Sequence, residues 1–328
     1  MKGILLHGGH GTRLRPLTHT GPKQLLPIAN KPMSEYCIET MKDAGIKEIA
    51  IIIGGIGAEK VKEYFGNGEK FGVNIIYIKQ DYPKGIADAV NLCKEFIGNE
   101  KFLVFLGDNI ILKSISEFAE NFEKSNVDAT ILLCEVDNPS RFGIADVKDK
   151  KITKIIEKPK NPPTNLAVTG IYFLTPKIFE IINNLKPSWR NELEITDALD
   201  LLLQETNNIT FNMITDYWKD TGTPEDIIHA NKAILENSIS KIQGDVANGV
   251  KKEGIVIVEE GAKIEENVEL IGPVLIGKNS IIKQGSKIGP NATIGNDCII
   301  DKAKIKNSII MSNSKILIGL NLGNSIIA

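Results

Sequence analysis

Two basic residues near the amino terminus accompany a cluster of glycines, a combination suited to binding phosphate. The apolar stretch that begins the chain leads into the run GGHGTRL at residues 8–14, which contains Arg13, and Lys23 follows in the run GPKQLLP. Glycines let backbone amides approach phosphate oxygens closely, and the planar guanidinium of arginine can form paired hydrogen bonds with phosphate. Because α/β sheets bind ligands at the carboxyl ends of their strands, this segment predicts a nucleotide-phosphate loop.

Two commoner glycine-rich phosphate loops are excluded by the spacing. A dinucleotide-binding loop has the form G-x-G-x-x-G, but Leu14 occupies the position of its third glycine. A P-loop has a lysine directly after its last glycine, whereas Thr12 follows Gly11. The remaining alternative is a glycine turn without a ligand, which would need neither Arg13 nor Lys23.

The segments around these residues resemble the signature of the sugar-1-phosphate nucleotidylyltransferases. The resemblance is carried by GGHGTRL at 8–14, PK at 22–23 and KPM at 31–33, and it extends from Lys2 to about His229. The sequence is especially similar to the long glucose-1-phosphate thymidylyltransferases, which end in a β-helix. This implies transfer of a thymidylyl group from dTTP to glucose 1-phosphate with Mg²⁺ as cofactor. His7 stands where most members have alanine, and we interpret it as a packing or hydrogen-bonding variant.

The resemblance also implies a role for each residue of the site. The catalytic cations are Arg13, Lys23, Lys158 and Arg190. The nucleotide is bound by Gly8, Gly9, Gly11, Thr12, Gln80 and Gly85, and the sugar by Gly143, Glu157 and Val168. The resemblance implies that Asp108 and Asp220 are the metal ligands, and two carboxylates suit Mg²⁺, which retains several waters and takes few protein ligands. Two structural helix caps are the alternative for this pair of aspartates.

The implied reaction needs charge compensation more than proton transfer. A phosphate oxygen of the sugar phosphate would attack the α-phosphorus of dTTP, and two unit charges about 4 Å apart repel by about 4 kcal/mol at an effective dielectric constant of roughly 20. The four cations and Mg²⁺ would offset this repulsion and stabilise the leaving pyrophosphate. A sugar phosphate is ionised at neutral pH, so the histidines are assigned no proton-transfer role.

Length and composition indicate two globular domains. The 328 residues exceed one typical domain, and 42% of them are hydrophobic. A net charge of −2 gives no reason to expect nucleic acid or an acidic membrane as a partner, and no apolar run approaches the roughly 20 residues of a membrane span. The four cysteines are widely separated, which indicates reduced thiols and a cytoplasmic protein.

Residues 1–237 are predicted to form the catalytic domain, with a Rossmann-like α/β fold whose sheet is mixed but mainly parallel. Apolar strand-like segments alternate there with amphipathic helical ones, which is typical of a sheet covered by helices on both faces. One predicted helix is Ala87–Phe96, and another begins at Pro224 with Thr223 as its N-cap and ends near Glu236. Residues 238–253 are predicted to be a polar linker.

Residues 254–328 are predicted to form a left-handed parallel β-helix. Aliphatic residues recur there at every sixth position, namely Val258, Ile264, Leu270, Ile276, Ile282, Ile288, Ile294 and Ile300. Each coil of such a helix buries its apolar face only by stacking on its neighbours. The repeat fades after Lys304, so the last segment is expected to be a cap or an interface strand, and self-association into a homo-oligomer is expected.

Three alternative functions are to be weighed against this one. Left-handed β-helices that act as acyltransferases typically use a histidine as base. An acetyltransferase activity of this β-helix is therefore disfavoured, because no histidine follows His229. A non-catalytic regulatory homologue is disfavoured because the glycine loop, its cations and both aspartates are present. A nucleotidylyltransferase that uses UTP, or another hexose or amino-sugar 1-phosphate, stays open as a third possibility.

Overall fold

The contacts within the chain divide it into two compact units. The structure, a computed structural model, describes residues 1–9 and 11–328, and His10 of the predicted glycine loop lies outside the described residues. The first unit comprises Met1–Thr12, Thr18–Leu25 and Ser34–Asp220. The second unit comprises Arg13–Leu17, Leu26–Met33 and Thr221–Ala328.

Thirteen strands and eight α-helices occur in the described residues up to residue 236. The strands are β1 (Lys2–Leu6), β2 (Pro27–Ile28), β3 (Lys31–Pro32), β4 (Glu48–Ile53), β5 (Asn74–Lys79), β6 (Phe102–Leu106), β7 (Asn109–Ile111), β8 (Ala129–Glu135), β9 (Gly143–Lys148), β10 (Lys151–Glu157), β11 (Leu166–Leu174), β12 (Ile209–Met213) and β13 (Trp218–Asp220). The helices are α1 (Met33–Asp43), α2 (Ala58–Phe65), α3 (Ile86–Asn91), α4 (Lys94–Ile97), α5 (Ser116–Lys124), α6 (Ile178–Asn183), α7 (Ile195–Thr206) and α8 (Pro224–Glu236). In the described part of the chain, none of the helices has the length and apolar character needed to span a bilayer.

A mixed sheet forms the centre of the first unit. Within the described residues it has nine strands in the order β10-β9-β11-β6-β1-β4-β5, with β8 beside β11 and β12 beside β8. Strands β6, β1, β4 and β5 are parallel to one another, whereas β11 is antiparallel to its neighbours β6, β8 and β9. This arrangement confirms the predicted mixed, mainly parallel sheet.

Helices cover both faces of this sheet because side chains alternate along each strand. On β1, Ile4 and Leu6 belong to the core cluster formed with α3, α6 and α7, and Leu5 belongs to the cluster formed with α1, α2 and α5. All three side chains are buried, and burial of one such side chain contributes about 1.5–3 kcal/mol. The central strands are therefore apolar at consecutive positions.

One predicted helix is broken in the structure. The prediction of a single helix over Ala87–Phe96 is wrong, since α3 ends at Asn91 and α4 begins at Lys94. Between them the amide of Cys93 donates to the carbonyl of Val90 at 3.0 Å, which is a tighter turn than that of an α-helix. Apolar residues continue through this turn, so the sequence pattern does not reveal the break.

The carboxyl ends of neighbouring strands bring the candidate residues to one edge of the sheet. Leu6 at the end of β1 pairs with Leu106 at the end of β6, so the glycine loop and Asp108 leave the sheet side by side. Gln80 follows β5, which is linked to β1 through the parallel strand β4. Parallel α/β sheets bind their ligands at this edge.

Helix α8 belongs to the second unit and begins as predicted. The Thr223 hydroxyl accepts a hydrogen bond from the Asp226 amide at 3.3 Å, and the Asp226 carboxylate accepts one from the Thr223 amide at 3.0 Å. Further along α8, the carboxamide oxygen of Asn231 accepts from the Thr293 hydroxyl at 2.8 Å and from the Ala29 amide at 2.9 Å. Asn231 therefore ties α8 to the β2–β3 hairpin and to the strands that follow.

The rest of the second unit is a parallel β-helix of short strands. They are β14 (Lys241–Ile242), β15 (Asp245–Val246), β16 (Lys251–Glu253), β17 (Val256–Val258), β18 (Lys263–Ile264), β19 (Glu269–Ile271), β20 (Val274–Ile276), β21 (Ile281–Ile282), β22 (Lys287–Ile288), β23 (Ala292–Ile294), β24 (Ile299–Ile300), β25 (Lys304–Lys306), β26 (Ser308–Ile310), β27 (Lys315–Ile316), β28 (Asn321–Gly323) and β29 (Ile326–Ile327). Within the described residues they form three parallel sheets, and each strand pairs with the third strand after it. The eight aliphatic residues at the sixth positions are buried, at most 2% exposed, in agreement with the predicted left-handed parallel β-helix.

The stacking does not fade after Lys304 but continues through β25–β29, and the expectation of a cap or interface strand in this last segment stays a prediction. Ile282 pairs with Ile300, but Ile288 pairs with Ile305, so this coil is one residue shorter than the coil before it. The shorter coil removes the sixfold spacing from the sequence. The inward side chain nevertheless keeps its place, since Ile305 is only 1% exposed.

Candidate active site

Two adjoining cavities open at the carboxyl edge of the sheet, and first-unit residues line both. The first cavity has a volume of about 300 Å³ and the second about 210 Å³. Predicted site residues of the first cavity are Gly8, Gly9, Lys23, Gln80, Gly85, Asp108 and Arg190. Those of the second cavity are Asp108, Gly143, Glu157, Lys158, Val168, Arg190 and Asp220. Asp108 and Arg190 line both cavities, so they lie where the two meet.

The glycine loop at the first cavity is held in place by a buried glutamine. The Gln24 side-chain amide donates to the carbonyl of Gly8 at 2.8 Å, and Gln24 is only 1% exposed. Gly107, which follows the neighbouring strand, has no room for a side chain, because a Cβ there would lie 2.9 Å from the Leu6 carbonyl oxygen. Sequence reasoning missed Gln24, although its place directly after Lys23 was a usable signal.

Gln80 and Gly85 stand at the other side of the first cavity. The Gln80 amide donates to the Asp88 carboxylate at 2.8 Å and to the Gly85 carbonyl at 3.3 Å, which leaves its oxygen as an acceptor. Gly85 has a φ of 107°, and a Cβ there would lie 2.3 Å from the Leu193 carbonyl oxygen. Only glycine therefore fits at position 85. Asp88 was not anticipated, because a carboxylate in the first turn of a helix is usually solvent-exposed.

An ion pair joins Lys23 to Asp108 between the glycine loop and the end of β6. Both side chains are 13% exposed, and the Lys23 ammonium contacts Oδ2 of Asp108. The other carboxylate oxygen, Oδ1, accepts from the Asn109 amide at 2.9 Å. Burial alone would raise the pKa of Asp108, but the Lys23 ammonium and these hydrogen bonds hold that pKa below its usual value. Asp108 is therefore an anion at neutral pH.

Glu157 is the centre of a charged cluster in the second cavity. Its carboxylate lies 3.1 Å from the Lys158 ammonium and 3.5 Å from the Arg190 guanidinium, and it accepts from the Thr196 hydroxyl at 2.9 Å. Gly143 faces this cluster closely, since a Cβ there would lie 2.4 Å from Cγ2 of Thr196. The predicted sugar-binding carboxylate is thus in contact with two of the predicted catalytic cations, Lys158 and Arg190. Thr196, which orients Glu157, was not anticipated.

A closed turn presents Arg190 to both cavities. The Ser188 amide donates to the Glu192 carbonyl at 2.8 Å, and the Arg190 guanidinium contacts the Glu192 and Glu194 carboxylates, each at 3.2 Å. Asn191 has a φ of 59°, a left-handed conformation that asparagine tolerates better than most residues. The asparagine side chain is therefore compatible with the backbone of this turn.

Asp108 and Asp220 could hold a divalent cation. Strand β13 pairs with β7 so that Asp220 stands opposite Asn109, next to Asp108, and both aspartates line the second cavity. The described residues contain no group of three or more His, Cys, Asp or Glu side chains arranged to hold a metal. Two carboxylates still fit Mg²⁺, which commonly takes one or two carboxylates and completes its shell with water and substrate phosphate.

Three residues of the predicted loop lie after His10. Gly11 has a φ of 56°, and its carbonyl accepts from the Thr18 hydroxyl at 2.8 Å. Thr12 ends the first segment of the first unit. Arg13 belongs to the second unit and is exposed beside Gly222, where an added Cβ would lie 2.9 Å from Nη2 of Arg13. The roles of these three residues at the nucleotide phosphates stay predictions.

His7, directly before the glycine loop, is buried and uncharged. Its ring packs edge-on against Phe65 with the ring centroids 5.8 Å apart. Burial lowers the pKa of His7 to about 3, although the nearby Asp108 carboxylate acts in the opposite direction. A side chain that stays neutral at physiological pH fits the packing role expected for it.

The fold and the site together define a class, the sugar-1-phosphate nucleotidylyltransferases. A glycine loop, basic side chains and two aspartates meet at the carboxyl edge of a mixed α/β sheet, and a parallel β-helix follows. The Nucleotidyl transferase family model matches residues 2–237, and the chain belongs to this family. The model of the GMPPB C-terminal domain matches residues 270–328. The resemblance found in the sequence is thereby confirmed.

Two similar proteins match over nearly the whole chain, and a solved structure matches about three quarters of it. The low-salt glycan biosynthesis nucleotidyltransferase Agl11 of Haloferax volcanii is 45% identical over 317 residues, which are 96% of this chain and 89% of that protein. The glucose-1-phosphate thymidylyltransferase of Streptomyces antibioticus is 40% identical over 318 residues, 96% of this chain and 88% of that protein. A crystal structure assigned as a glucose-1-phosphate thymidylyltransferase from Bacillus anthracis, in complex with a sucrose, is 41% identical with a TM-score of 0.69, and the match covers 74% of this chain and 98% of that one.

Proposed function

We propose that this protein transfers a thymidylyl group from dTTP to glucose 1-phosphate, giving dTDP-glucose and pyrophosphate, with Mg²⁺ as the cofactor. The observation that carries the proposal is the junction of the two cavities at Asp108 and Arg190. A nucleotide in the first cavity and a sugar phosphate in the second would place their phosphates at this junction. The 40% identity to a thymidylyltransferase supports the choice of nucleotide.

The first cavity suits a pyrimidine base. Because both Gln80 amide hydrogens face acceptors, its oxygen is left to accept from the N3–H group of the base. Gly85 would bring backbone groups within reach of the base, because no side chain intervenes. The bare backbone of Gly8 and Gly9 would bind the triphosphate, with Lys23 beside it.

The second cavity suits a sugar phosphate. Glu157 would accept hydrogen bonds from sugar hydroxyls, and Gly143 and Val168 would contact the ring through their backbone. Lys158 and Arg190 would bind the phosphate. Both cations now contact Glu157, so phosphate binding would exchange a carboxylate partner for a phosphate one.

The reaction would proceed by alignment and charge compensation. A phosphate oxygen of glucose 1-phosphate forms a bond to the α-phosphorus of dTTP, and the bond from that phosphorus to the leaving pyrophosphate breaks. Lys23, Lys158, Arg13 and Arg190 offset the repulsion between the two anions and stabilise the leaving group. Asp108 and Asp220 would hold Mg²⁺, which would supply positive charge to the phosphates when bound. No general base is needed because the attacking oxygen is already ionised.

A second candidate keeps the reaction and changes the substrates. Uracil and thymine present the same N3–H group and carbonyls to Gln80, so this contact does not separate UTP from dTTP. The 45% identity to Agl11, a nucleotidyltransferase of glycan biosynthesis, also favours considering other sugar phosphates. A non-catalytic regulatory role is disfavoured because the cations and aspartates of the junction are intact.

The test is a panel that measures pyrophosphate release. Each of dTTP, UTP, ATP and GTP is combined with glucose, galactose, glucosamine and N-acetylglucosamine 1-phosphates in the presence of Mg²⁺. We expect the highest kcat/KM with dTTP and glucose 1-phosphate, and almost no release by the Asp108→Asn variant. A higher value for another pair would change the substrate assignment. No release from any pair would refute the enzyme assignment itself.

A further inference from the structure

Asn109 follows the predicted metal ligand Asp108, stands opposite the other, Asp220, in the β7–β13 pair, and is itself buried, with 2% exposure. Its amide nitrogen donates to Oδ1 of Asp108 at 2.9 Å. Its carboxamide oxygen accepts from the indole N–H of Trp218 at 2.7 Å and from the Gly170 amide at 3.4 Å. Every polar atom of this side chain therefore has a defined partner.

The indole determines which way the Asn109 carboxamide faces. An indole N–H can only donate, and an ionised carboxylate can only accept. If the carboxamide were turned over, its NH₂ group would face the Trp218 N–H and its oxygen would face the Asp108 carboxylate, so both contacts would be repulsive. Trp218 thus directs the Asn109 donor to Asp108.

The same contact joins β7, which begins directly after Asp108, to β13, which ends at Asp220. Asn109 on β7 stands directly opposite Asp220 on β13. Trp218 and Asp220 are two residues apart on β13, so their side chains project from the same face of the strand. Phe142 packs against the Trp218 ring with centroids 5.5 Å apart, which restricts the indole. Lys23 contacts Oδ2 of Asp108, so Lys23 and Asn109 contact different oxygens of this carboxylate.

We propose that Asn109 and Trp218 are positioning residues that hold the Asp108 and Asp220 carboxylates at the separation and orientation required by a divalent cation. The proposal rests on the proposed function, which assigns the metal to these two aspartates. Partners that orient metal ligands by hydrogen bonds commonly affect metal affinity by about 10- to 100-fold. Asn109 is such a partner for the Asp108 carboxylate, and the Trp218–Asn109 contact fixes the strand that carries Asp220 beside it.

The test uses Trp218→Phe, which keeps an aromatic ring beside Phe142 and removes the N–H donor. The matched control is Trp189→Phe, the same change at the other of the two tryptophans in the sequence, which is 82% exposed. Mn²⁺ affinity is measured by electron paramagnetic resonance in the presence of dTTP and without sugar phosphate, so a contact of Trp218 with the sugar does not contribute. We expect Trp218→Phe to weaken Mn²⁺ binding about tenfold or more and Trp189→Phe to match the wild type.

A second readout separates positioning from folding. In Trp218→Phe the Mg²⁺ concentration for half-maximal pyrophosphate release should rise by a similar factor, while turnover at saturating Mg²⁺ stays within a few-fold of the wild type. If near-ultraviolet circular dichroism shows that Trp218→Phe is unfolded, Asn109→Ala is measured in the same way with the same expectation. Equal Mn²⁺ affinities in the wild type and the folded variant would overturn the positioning role. A wild type that does not bind Mn²⁺ with dTTP would instead overturn the proposed function.

Discussion

The ion pair between Lys23 and Asp108 yields a prediction about stability that can be worked out in detail. Lys23→Met keeps the length and apolar character of the lysine stem and removes the ammonium that contacts Oδ2 of Asp108. Both side chains are 13% exposed, so solvent compensates the remaining carboxylate only slightly. The Asn109 amide still donates to Oδ1 in this variant.

Removal of one partner from a buried ion pair costs about 3–5 kcal/mol, because a buried charge is left uncompensated. The remaining hydrogen bond from Asn109 favours the lower end of this range. We therefore expect Lys23→Met to lower the free energy of unfolding by about 3 kcal/mol at pH 7. In Lys23→Met/Asp108→Asn the buried carboxylate is removed as well, so the loss should be clearly smaller than the sum of the two single losses.

The pH dependence of this loss has a definite sign. In the wild type the pKa of Asp108 is held below its unfolded value of about 3.9, so its contribution to stability is present above that pH and is lost as the pH falls through the folded pKa. In Lys23→Met burial raises this pKa instead, so Asp108 takes up a proton at a higher pH and its penalty is relieved. The difference between wild type and variant should therefore shrink on acidification.

Urea unfolding monitored by circular dichroism at pH 7 and pH 4 measures this difference. The single variants, the double variant and the wild type are compared without Mg²⁺ or nucleotide. We expect the wild type and Lys23→Met to differ by about 3 kcal/mol at pH 7 and by less at pH 4. A difference below about 1 kcal/mol at pH 7, typical of an exposed pair, would refute the reasoning, as would a difference that does not depend on pH.

Three further predictions concern other residues of the predicted site and the neighbouring His7. Gly85→Ala places a Cβ 2.3 Å from the Leu193 carbonyl oxygen at a residue with a φ of 107°. The KM for dTTP should therefore rise while the circular dichroism spectrum stays unchanged. An unaltered KM would contradict the close approach of this backbone to the nucleotide. Asp108→Asn and Arg13→Ala should each lower kcat about 100-fold or more in steady-state assays, and rates near those of the wild type would remove the residue from the proposed mechanism. His7→Ala should make the stability less sensitive to acid. The pKa of His7 is about 3 in the folded protein and about 6.5 in the unfolded chain, so in the wild type the free energy of unfolding falls below about pH 6.5 by up to about 1.4 kcal/mol per pH unit. Urea unfolding of the wild type and His7→Ala is compared at pH 7 and pH 5. An identical change in the free energy of unfolding between the two pH values would contradict this prediction.

Much of the fold could be predicted from local patterns. The apolar strands, the glycine loop and Asp108 are short-range signals, and the parallel ladder between β1 and β6 brings them together as expected. The sixfold aliphatic spacing predicted the β-helix because each inward side chain stacks on the one a coil away. The same pattern failed after Lys304, where coils lose a residue and keep their stacking.

Contacts between distant segments were not predictable in the same way. Asn109 meets Trp218 across more than a hundred residues, and no local pattern shows that an indole will orient this carboxamide. Asp88 and Gln24 also act on the site through single hydrogen bonds that depend on the folded geometry. Residue types at strand ends could therefore be predicted, whereas the partners that orient them could not.

The central claim is that two phosphate-bearing substrates react at the junction of the cavities with the help of a divalent cation. The most direct measurement is phosphorus NMR of a mixture of dTTP, glucose 1-phosphate and Mg²⁺ with the wild type. The predicted result is loss of both substrate signals, equal growth of pyrophosphate and a sugar-linked diphosphate, and arrest of the reaction by EDTA. Unchanged substrates, or release of orthophosphate without a sugar-linked diphosphate, would contradict the claim.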